Sequence, residues 1–219
     1  MPLDPGVVQL WYVPVHAPDS VRARLEGHLS PEEQERVRRF TRPADRQRQL
    51  LARGLVREVL APVLGLPPER IAFKLGAHGK PAVAGDRAGV HFNLSHSGDW
   101  VALALARDSE VGIDIEAPAG HHRMDAIAAR LYGPTERTWL AAASAERRLD
   151  TFYRLWTVRE AYLKAVGIGL AGASGQDCLT PDGQLVDPAW QVWRLTHPTT
   201  CHGALVTRQG ERRVIAWSL

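Results

Sequence analysis

The segment Val7 to Val13 alternates around Leu10, Trp11 and Tyr12 as a strand does. Ser30-Pro31-Glu32-Glu33 then offers an N-cap, a proline for the first helical position and acidic first-turn residues, so an arginine-rich helix is predicted to start there. Helical period returns in Leu50, Leu51, Leu55, Val59 and Leu60 and runs to Pro62 and a loop from Gly65 to Pro68. Ile71 to Leu75 reads as a strand, and His91–Leu94 with Trp100–Ala106 as a hairpin whose loop is Ser95-His96-Ser97-Gly98-Asp99. Val111 to Glu116 is a short β-branched run ended by Ala117-Pro118. Helices are predicted over Met124–Tyr132, Pro134–Ala143 and roughly Arg148–Val166, followed by strands at Gln191–Leu195, Gly203–Thr207 and Arg213–Trp217. Strands with helices between them occur on both sides of Glu110, which predicts two halves of similar make-up, 1–110 and 111–219.

Composition narrows the class. With 219 residues, 45% hydrophobic and 23% charged, the chain is long enough for a sizeable core, and disorder, collagen and coiled coil are excluded. No apolar run approaches the roughly 20 residues of a membrane span, and no secretory leader is visible, so a cytoplasmic protein is expected. Cys178 and Cys201 form neither a disulfide framework nor a CxxC pair and read as reduced structural thiols. The net charge of +3 is unevenly spread: Arg36, Arg38, Arg39, Arg42, Arg46, Arg48, Arg53 and Arg57 face Asp45 alone, a stretch suited to phosphates or an acidic partner. Lysine is confined to Lys74, Lys80 and Lys164, positions where a compact ammonium has a use.

Four short motifs could carry chemistry. In Val111-Gly112-Ile113-Asp114-Ile115-Glu116, period-two geometry puts Asp114 and Glu116 on one face. Read alone, the pair is either a solvated acidic face or a hard-oxygen site for Mg²⁺ or Mn²⁺. Glu160 and Lys164 lie one helical turn apart: a surface ion pair by spacing alone, but close to the apolar stripe of Phe152, Leu155, Trp156 and Leu163 and so near the core. Gly79-Lys80-Pro81 and Asn93-Leu94-Ser95-His96-Ser97-Gly98 stand at strand ends or turns, where backbone N–H groups and a cation can meet an anion, although ordinary turns also use these residues. Ser95 and His96 are neighbours and point oppositely on a strand, which argues against a nucleophile dyad. Gly167-Ile168-Gly169-Leu170-Ala171-Gly172 matches a dinucleotide fingerprint but follows a helix, so it reads as a glycine cap and loop. Walker A, HExxH and paired Cys/His spacings do not occur.

Together, GKP, FNLSHSG, VGIDIE and WxxxEAYLKAxGxGL, in this order and spacing, resemble the 4′-phosphopantetheinyl transferases of the large, Sfp-type class, and Leu29 through Arg36 to Arg39-Phe40 is similar to that family's first helix. The resemblance implies an α+β pseudo-dimer of two similar halves with the active site in the cleft between them. It implies Mg²⁺-dependent transfer of the phosphopantetheine arm of coenzyme A to a serine of an apo acyl, peptidyl or aryl carrier protein, releasing adenosine 3′,5′-bisphosphate. On this resemblance Asp114, Glu116 and Glu160 are the metal carboxylates, Lys164 contacts the pyrophosphate, and Glu160 can take the serine proton. Ser95 and His96, with Asn93 in the same motif, match contacts to coenzyme A phosphates; Gly79 and Lys80 match the segment at its adenine and 3′-phosphate end; Arg36, and as an addition Arg53, match the basic first-helix region. Arg159 stands where many relatives carry lysine, and Glu33 where a basic residue can occur.

Two other classes compete. A phosphate- or nucleic-acid-binding module on the Arg36–Arg57 stretch has Phe40 as its sole aromatic, too few for base stacking. A carboxylate-pair hydrolase on Asp114 and Glu116 leaves little room to flank a glycosidic bond. Both leave Lys80, His96 and Lys164 without a use. The expectation is therefore a monomeric enzyme with carrier proteins and coenzyme A as partners, and no nucleic acid or membrane.

Overall fold

The computed structural model describes residues 3–76, 78–85, 89–120, 123–169 and 174–219. Alternation in the first segment becomes strand β1 (Val7–Pro14). Helix α1 (Asp19–Gly27) follows, which the sequence pattern did not announce because Leu25 is its one buried residue. Helix α2 (Pro31–Arg38) starts where the capping signal predicts: the Ser30 hydroxyl accepts from the Glu33 N–H at 3.3 Å, and the Glu33 carboxylate accepts from the Ser30 N–H at 3.1 Å. Helix α3 (Pro43–Leu64) passes Pro62 and ends at Gly65 in the left-handed conformation; a proline in the last turn removes one hydrogen bond only.

A 3-10 turn at Pro68–Arg70 shortens the strand expected from Ile71 to β2 (Phe73–Leu75), which pairs with β3 (Pro81–Val83). The hairpin is β4 (Val90–Ser97) and β5 (Trp100–Arg107). Ser95, His96 and Ser97 lie within β4, which corrects their expected place in the loop: the ladder continues to Ser97↔Trp100, leaving Gly98 and Asp99 as the turn. Then come β6 (Val111–Glu116), α4 (Met124–Leu131), α5 (Pro134–Ala142), α6 (Ala145–Val166), β7 (Trp190–Leu195), β8 (His202–Arg208) and β9 (Arg213–Ser218).

Two units divide this α+β chain. One comprises the chain to Ser109 together with Glu211–Leu219; the other is Glu110–Gly210. The final strand therefore belongs with the first unit, a correction to the 111–219 half. It pairs parallel with β1 in a sheet of order β4-β5-β1-β9, and Trp217 stacks on Trp11 with ring centroids 4.8 Å apart. Strand patterning says that a segment is extended but not which edge it joins. In the first unit α3 lays Leu51, Leu55, Val59 and Leu60 against Val101, Leu103 and Leu105, while Leu25, Leu29 and Val37 complete the core. In the second unit the sheet order is β6-β8-β7, and α6 packs Phe152, Leu155, Val158 and Ala161 with Ala204 and Val206. Each fully buried leucine or phenylalanine contributes roughly 1.5–3 kcal/mol, so these two stripes hold the long helices in place.

Candidate functional site

Strand β6 and helix α6 meet at a glycine. A Cβ on Gly112 would lie 2.0 Å from the Ala161 carbonyl oxygen and 2.4 Å from the Ala165 nitrogen, so only a residue without a side chain lets strand and helix touch here. The period of two then turns the side chains of Asp114 and Glu116, like Gly112, to the helix, while Val111, Ile113 and Ile115 are buried on the other face. The acidic face is thus covered rather than solvated. Asp114 is 3% exposed and accepts from the Lys164 ammonium at 2.7 Å; Lys164 also donates to the Ile113 carbonyl at 3.3 Å. The Trp156 indole N–H donates to Glu116 at 3.3 Å. Trp156, Glu160 and Lys164 are spaced by four residues, hence on one stripe of α6.

Burial pushes the Asp114 carboxyl up to about 7; Lys164 opposes that shift, and the negative charges of Glu116 and Glu160 add to it. Glu160 is also raised, by burial first, with Glu116 adding and Lys164 and Arg159 opposing. Asp114 therefore feels the charges of Glu116 and Glu160, and Glu160 that of Glu116. Among the described residues no three histidine, cysteine or acidic side chains are gathered closely enough to hold a metal ion as they stand. What the arrangement provides is three carboxylates and one ammonium in a partly desolvated setting. Oxygen ligands, a carboxylate able to take a proton and a flexible ammonium are the residue types that hard-cation binding and proton transfer at a phosphate call for.

The nucleotide-binding candidates lie in the first unit. Arg36 is exposed on α2. Gly79 takes a positive φ of 80° in a turn closed by its N–H to the Gly76 carbonyl at 3.0 Å, and this delivers Lys80, half-buried, to the start of β3. Strand β3 runs beside β4. On β4, Asn93 (6% exposed) and Ser95 (7%) are buried on one face, while His96, exposed, is on the other, the face of Phe92 and Leu94.

Arg53 departs from expectation: its guanidinium turns to Glu33 at 3.4 Å. The arginine that α3 brings to the β4–β5 turn is instead Arg48, which donates to the Gly98 carbonyl at 3.2 Å and pairs with Asp45. Nothing local could nominate it, because Arg48 and Gly98 are fifty residues apart in sequence. Arg57 is turned inward, with Glu33 at 2.6 Å and the Ile71 carbonyl at 3.0 Å. Glu33, acidic where a basic residue can occur, thus caps α2 and neutralises α3.

Gly167 ends α6 in the left-handed conformation, as the cap reading of the glycine-rich stretch requires; Leu170, Ala171 and Gly172 of that stretch lie outside the described residues. Burial pushes the Cys178 thiol up to about 12, which fits a structural residue.

Comparison with known proteins gives the same picture for both parts of the chain. Residues 20–108 match the family described as 4′-phosphopantetheinyl transferase, N-terminal, and residues 110–207 match the 4′-phosphopantetheinyl transferase superfamily. The chain is similar to 4′-phosphopantetheinyl transferase HetI of Nostoc sp., with 34% identity over 205 residues, 90% of this chain and 86% of that protein. It is similar to the putative 4′-phosphopantetheinyl transferase slr0495 of Synechocystis sp., with 35% identity covering 81% of this chain and 71% of that one. With 4′-phosphopantetheinyl transferase Sfp of Bacillus subtilis the identity is 38%, covering 68% and 64%.

Proposed function

The chain belongs to the 4′-phosphopantetheinyl transferase superfamily, and we propose from that premise that it moves the 4′-phosphopantetheine arm of coenzyme A onto a serine hydroxyl of an apo carrier protein. The serine oxygen bonds to the β-phosphorus, the bond from that phosphorus to the bridging oxygen breaks, and adenosine 3′,5′-bisphosphate leaves. The observation that carries this reading is the grouping of Asp114, Glu116, Glu160 and Lys164 about one strand–helix contact.

Carboxylates that offer only oxygen, two of them with ionisation disfavoured by burial, match the needs of a hard dication, so Asp114, Glu116 and Glu160 would hold Mg²⁺, or Mn²⁺ in its place. Such an ion supplies neutralisation of the charge that grows on the pyrophosphate oxygens. Lys164, on a flexible stem and bonded to Asp114, exchanges that partner for a pyrophosphate oxygen as the leaving group gains charge. Glu160, whose raised affinity for a proton suits a base, takes the serine proton directly or through water. Arg36, Lys80 and His96 bind the nucleotide end of coenzyme A, with Asn93, Ser95 and Gly79 shaping the strand and turn that carry Lys80 and His96.

The carrier is an acyl, peptidyl or aryl carrier protein, and the enzyme works as a cytoplasmic monomer; no helix of the described residues is long and apolar enough to cross a membrane. The test is the mass of a purified apo carrier after incubation with the enzyme, coenzyme A and Mg²⁺. A gain of one phosphopantetheine arm is expected, and an unchanged mass across acyl, peptidyl and aryl carriers would sink the reading.

A further inference from the structure

The chain builds one buried clamp twice. In the first unit Pro31 opens α2, and Glu33 accepts from the Ser30 N–H at 3.1 Å and from Arg57 at 2.6 Å. Arg57, fourteen residues after the start of α3, also donates to the carbonyls of Pro68 at 2.5 Å and Ile71 at 3.0 Å, and lies 5.1 Å from the Phe73 ring centroid. In the second unit Pro134 opens α5, and Glu136 accepts from the Gly133 N–H at 3.1 Å and from Arg159. Arg159, fourteen residues after the start of α6, donates to the Gln176 carbonyl at 2.6 Å and lies 5.5 Å from the Tyr132 ring centroid. Both long helices have 22 residues and both end at a left-handed glycine, Gly65 or Gly167.

The residue after each arginine separates the two clamps. After Arg57 comes Glu58, tied to Arg24 at 3.0 Å and His28 at 3.2 Å in a purely structural cluster. After Arg159 comes Glu160, one helical turn before Lys164; it feels the charges of Lys164 and Glu116 and acts on Asp114. Successive helical residues point about 100° apart, so an anchor that fixes Arg159 toward α5 also fixes the direction in which Glu160 points. The second clamp has braces of its own. Glu136, 0% exposed, further accepts from the Cys178 N–H at 3.1 Å. The Asp177 carboxylate caps α5 by accepting from the Thr135 N–H at 3.0 Å, an approach that a Cβ on Gly133 would block at 2.2 Å.

Resting on the transferase reading above, we infer that Arg159 is a positioning residue: through Glu136 it sets the rotation of α6 that presents Glu160 and Lys164 to Asp114 and Glu116, and it does not touch coenzyme A. At 1% exposure its Nη2 donates to both Glu136 and the Gln176 carbonyl, and drawing it to a phosphate would leave the Glu136 carboxylate buried without its cation.

The test is steady-state transfer to an apo carrier, with coenzyme A varied, for wild type, Arg159→Gln, Arg159→Lys, Glu136→Gln and the Arg159→Gln/Glu136→Gln double variant. The expected result is a fall in kcat of about tenfold or more for Arg159→Gln and Glu136→Gln. KM for coenzyme A should stay within about twofold, the double variant should be no worse than either single one because the two residues act as a unit, and Arg159→Lys should recover part of the rate. Arg57→Gln breaks the matched clamp; it should lower the melting temperature comparably and keep kcat. If Arg159→Gln does not fold, Arg159→Lys and Glu136→Gln carry the same comparison. A tenfold rise in KM with kcat intact would make Arg159 a coenzyme A ligand and overturn the inference, and so would additive losses, or a kcat loss in Arg57→Gln equal to that in Arg159→Gln. Absence of transfer by wild type would instead remove the transferase reading itself, and the inference with it.

Discussion

The two units share their ingredients: a proline-started helix with glutamate at its third position, a 22-residue helix behind it, and a sheet on which that helix lies. They differ in where the charge of the candidate site sits. In the first unit it is outside, with Arg36, Arg42 and His96 exposed and Lys80 half-buried. In the second it is inside, with Asp114 3% exposed and its carboxyl pushed up to about 7 by burial. Exposed cations are screened within roughly 8–10 Å at ordinary salt and act mainly by attracting and discriminating anions. Buried carboxylates cannot be screened and gain from a counter-charge, so that is where a cation and a moving proton have most effect. On the proposed function, the same scaffold would bind the donor in one half and carry the reacting groups in the other.

The largest expected effect is in the second unit. Asp114→Ala, Glu116→Ala and Glu160→Ala should each cut kcat by about a hundredfold or more, because on the proposed function each would remove an oxygen ligand, and electrostatic stabilisation of a transferring phosphoryl group is commonly of that size. Chelation by EDTA should abolish wild-type transfer and added Mg²⁺ restore it. Near-normal turnover in folded Asp114→Ala protein, measured by carrier mass shift, would break the division of labour between the units.

Next in size is Gly112→Ala. One methyl group directed 2.0 Å from the Ala161 carbonyl must push β6 and α6 apart, at a cost of about 1–3 kcal/mol in stability. A displacement on the order of 1 Å at the carboxylates should lower kcat about a hundredfold. Gly54→Ala, which meets the Leu25 carbonyl of α1 at 2.5 Å, makes a similar insult in the first unit. It should lower the melting temperature while sparing kcat far more than Gly112→Ala does. Equal kcat losses at the two glycines would mean that global stability, not local alignment, is being read.

In the first unit the effect should fall on the donor rather than on the rate. A pocket for a phosphate dianion is left with unpaired positive groups when the phosphate is absent, and charge-assisted bonds contribute roughly 1.5–3 kcal/mol each. Wild type should prefer coenzyme A to 3′-dephospho-coenzyme A strongly. Arg36→Ala and Lys80→Ala should each shrink that preference about tenfold, while Arg42→Ala leaves it unchanged. An undiminished ratio of kcat/KM in both variants would show that the nucleotide end binds elsewhere.

How far this was legible in the sequence depended on how local the cause was. The cap at Ser30, the alternation in Val111–Glu116 and the period of α6 are decided within a few residues, and each element forms where its pattern says. What escaped was non-local. Arginine spacing cannot tell Arg53, drawn to Glu33, from Arg48, drawn to the Gly98 turn, and Arg213–Ser218 carries no mark of the sheet it completes. The acidic face of β6 has two possible meanings in the sequence and one in the fold, where α6 lies on it, although Gly112, two residues before Asp114, is a trace of that contact in the sequence.

The smallest effect expected is at Arg53, and it sharpens the comparison because sequence nominates Arg53 for the same task as Arg36. Arg36 is exposed with its charge available on α2, whereas Arg53 is half-buried and its guanidinium approaches Glu33 at 3.4 Å. Glu33 is already paired with Arg57 at 2.6 Å, so loss of Arg53 leaves that carboxylate a nearer cation and its cap to α2. A partly exposed ion pair of this length contributes about 0–1 kcal/mol. Arg53→Ala should therefore lower the melting temperature only slightly and change the preference for coenzyme A over its 3′-dephospho form by less than about twofold, against about tenfold for Arg36→Ala. A loss of discrimination in Arg53→Ala as large as in Arg36→Ala would mean that Arg53 leaves Glu33 for the phosphate when the donor binds, and the charge of the first unit would then reach further inward than its exposed arginines suggest.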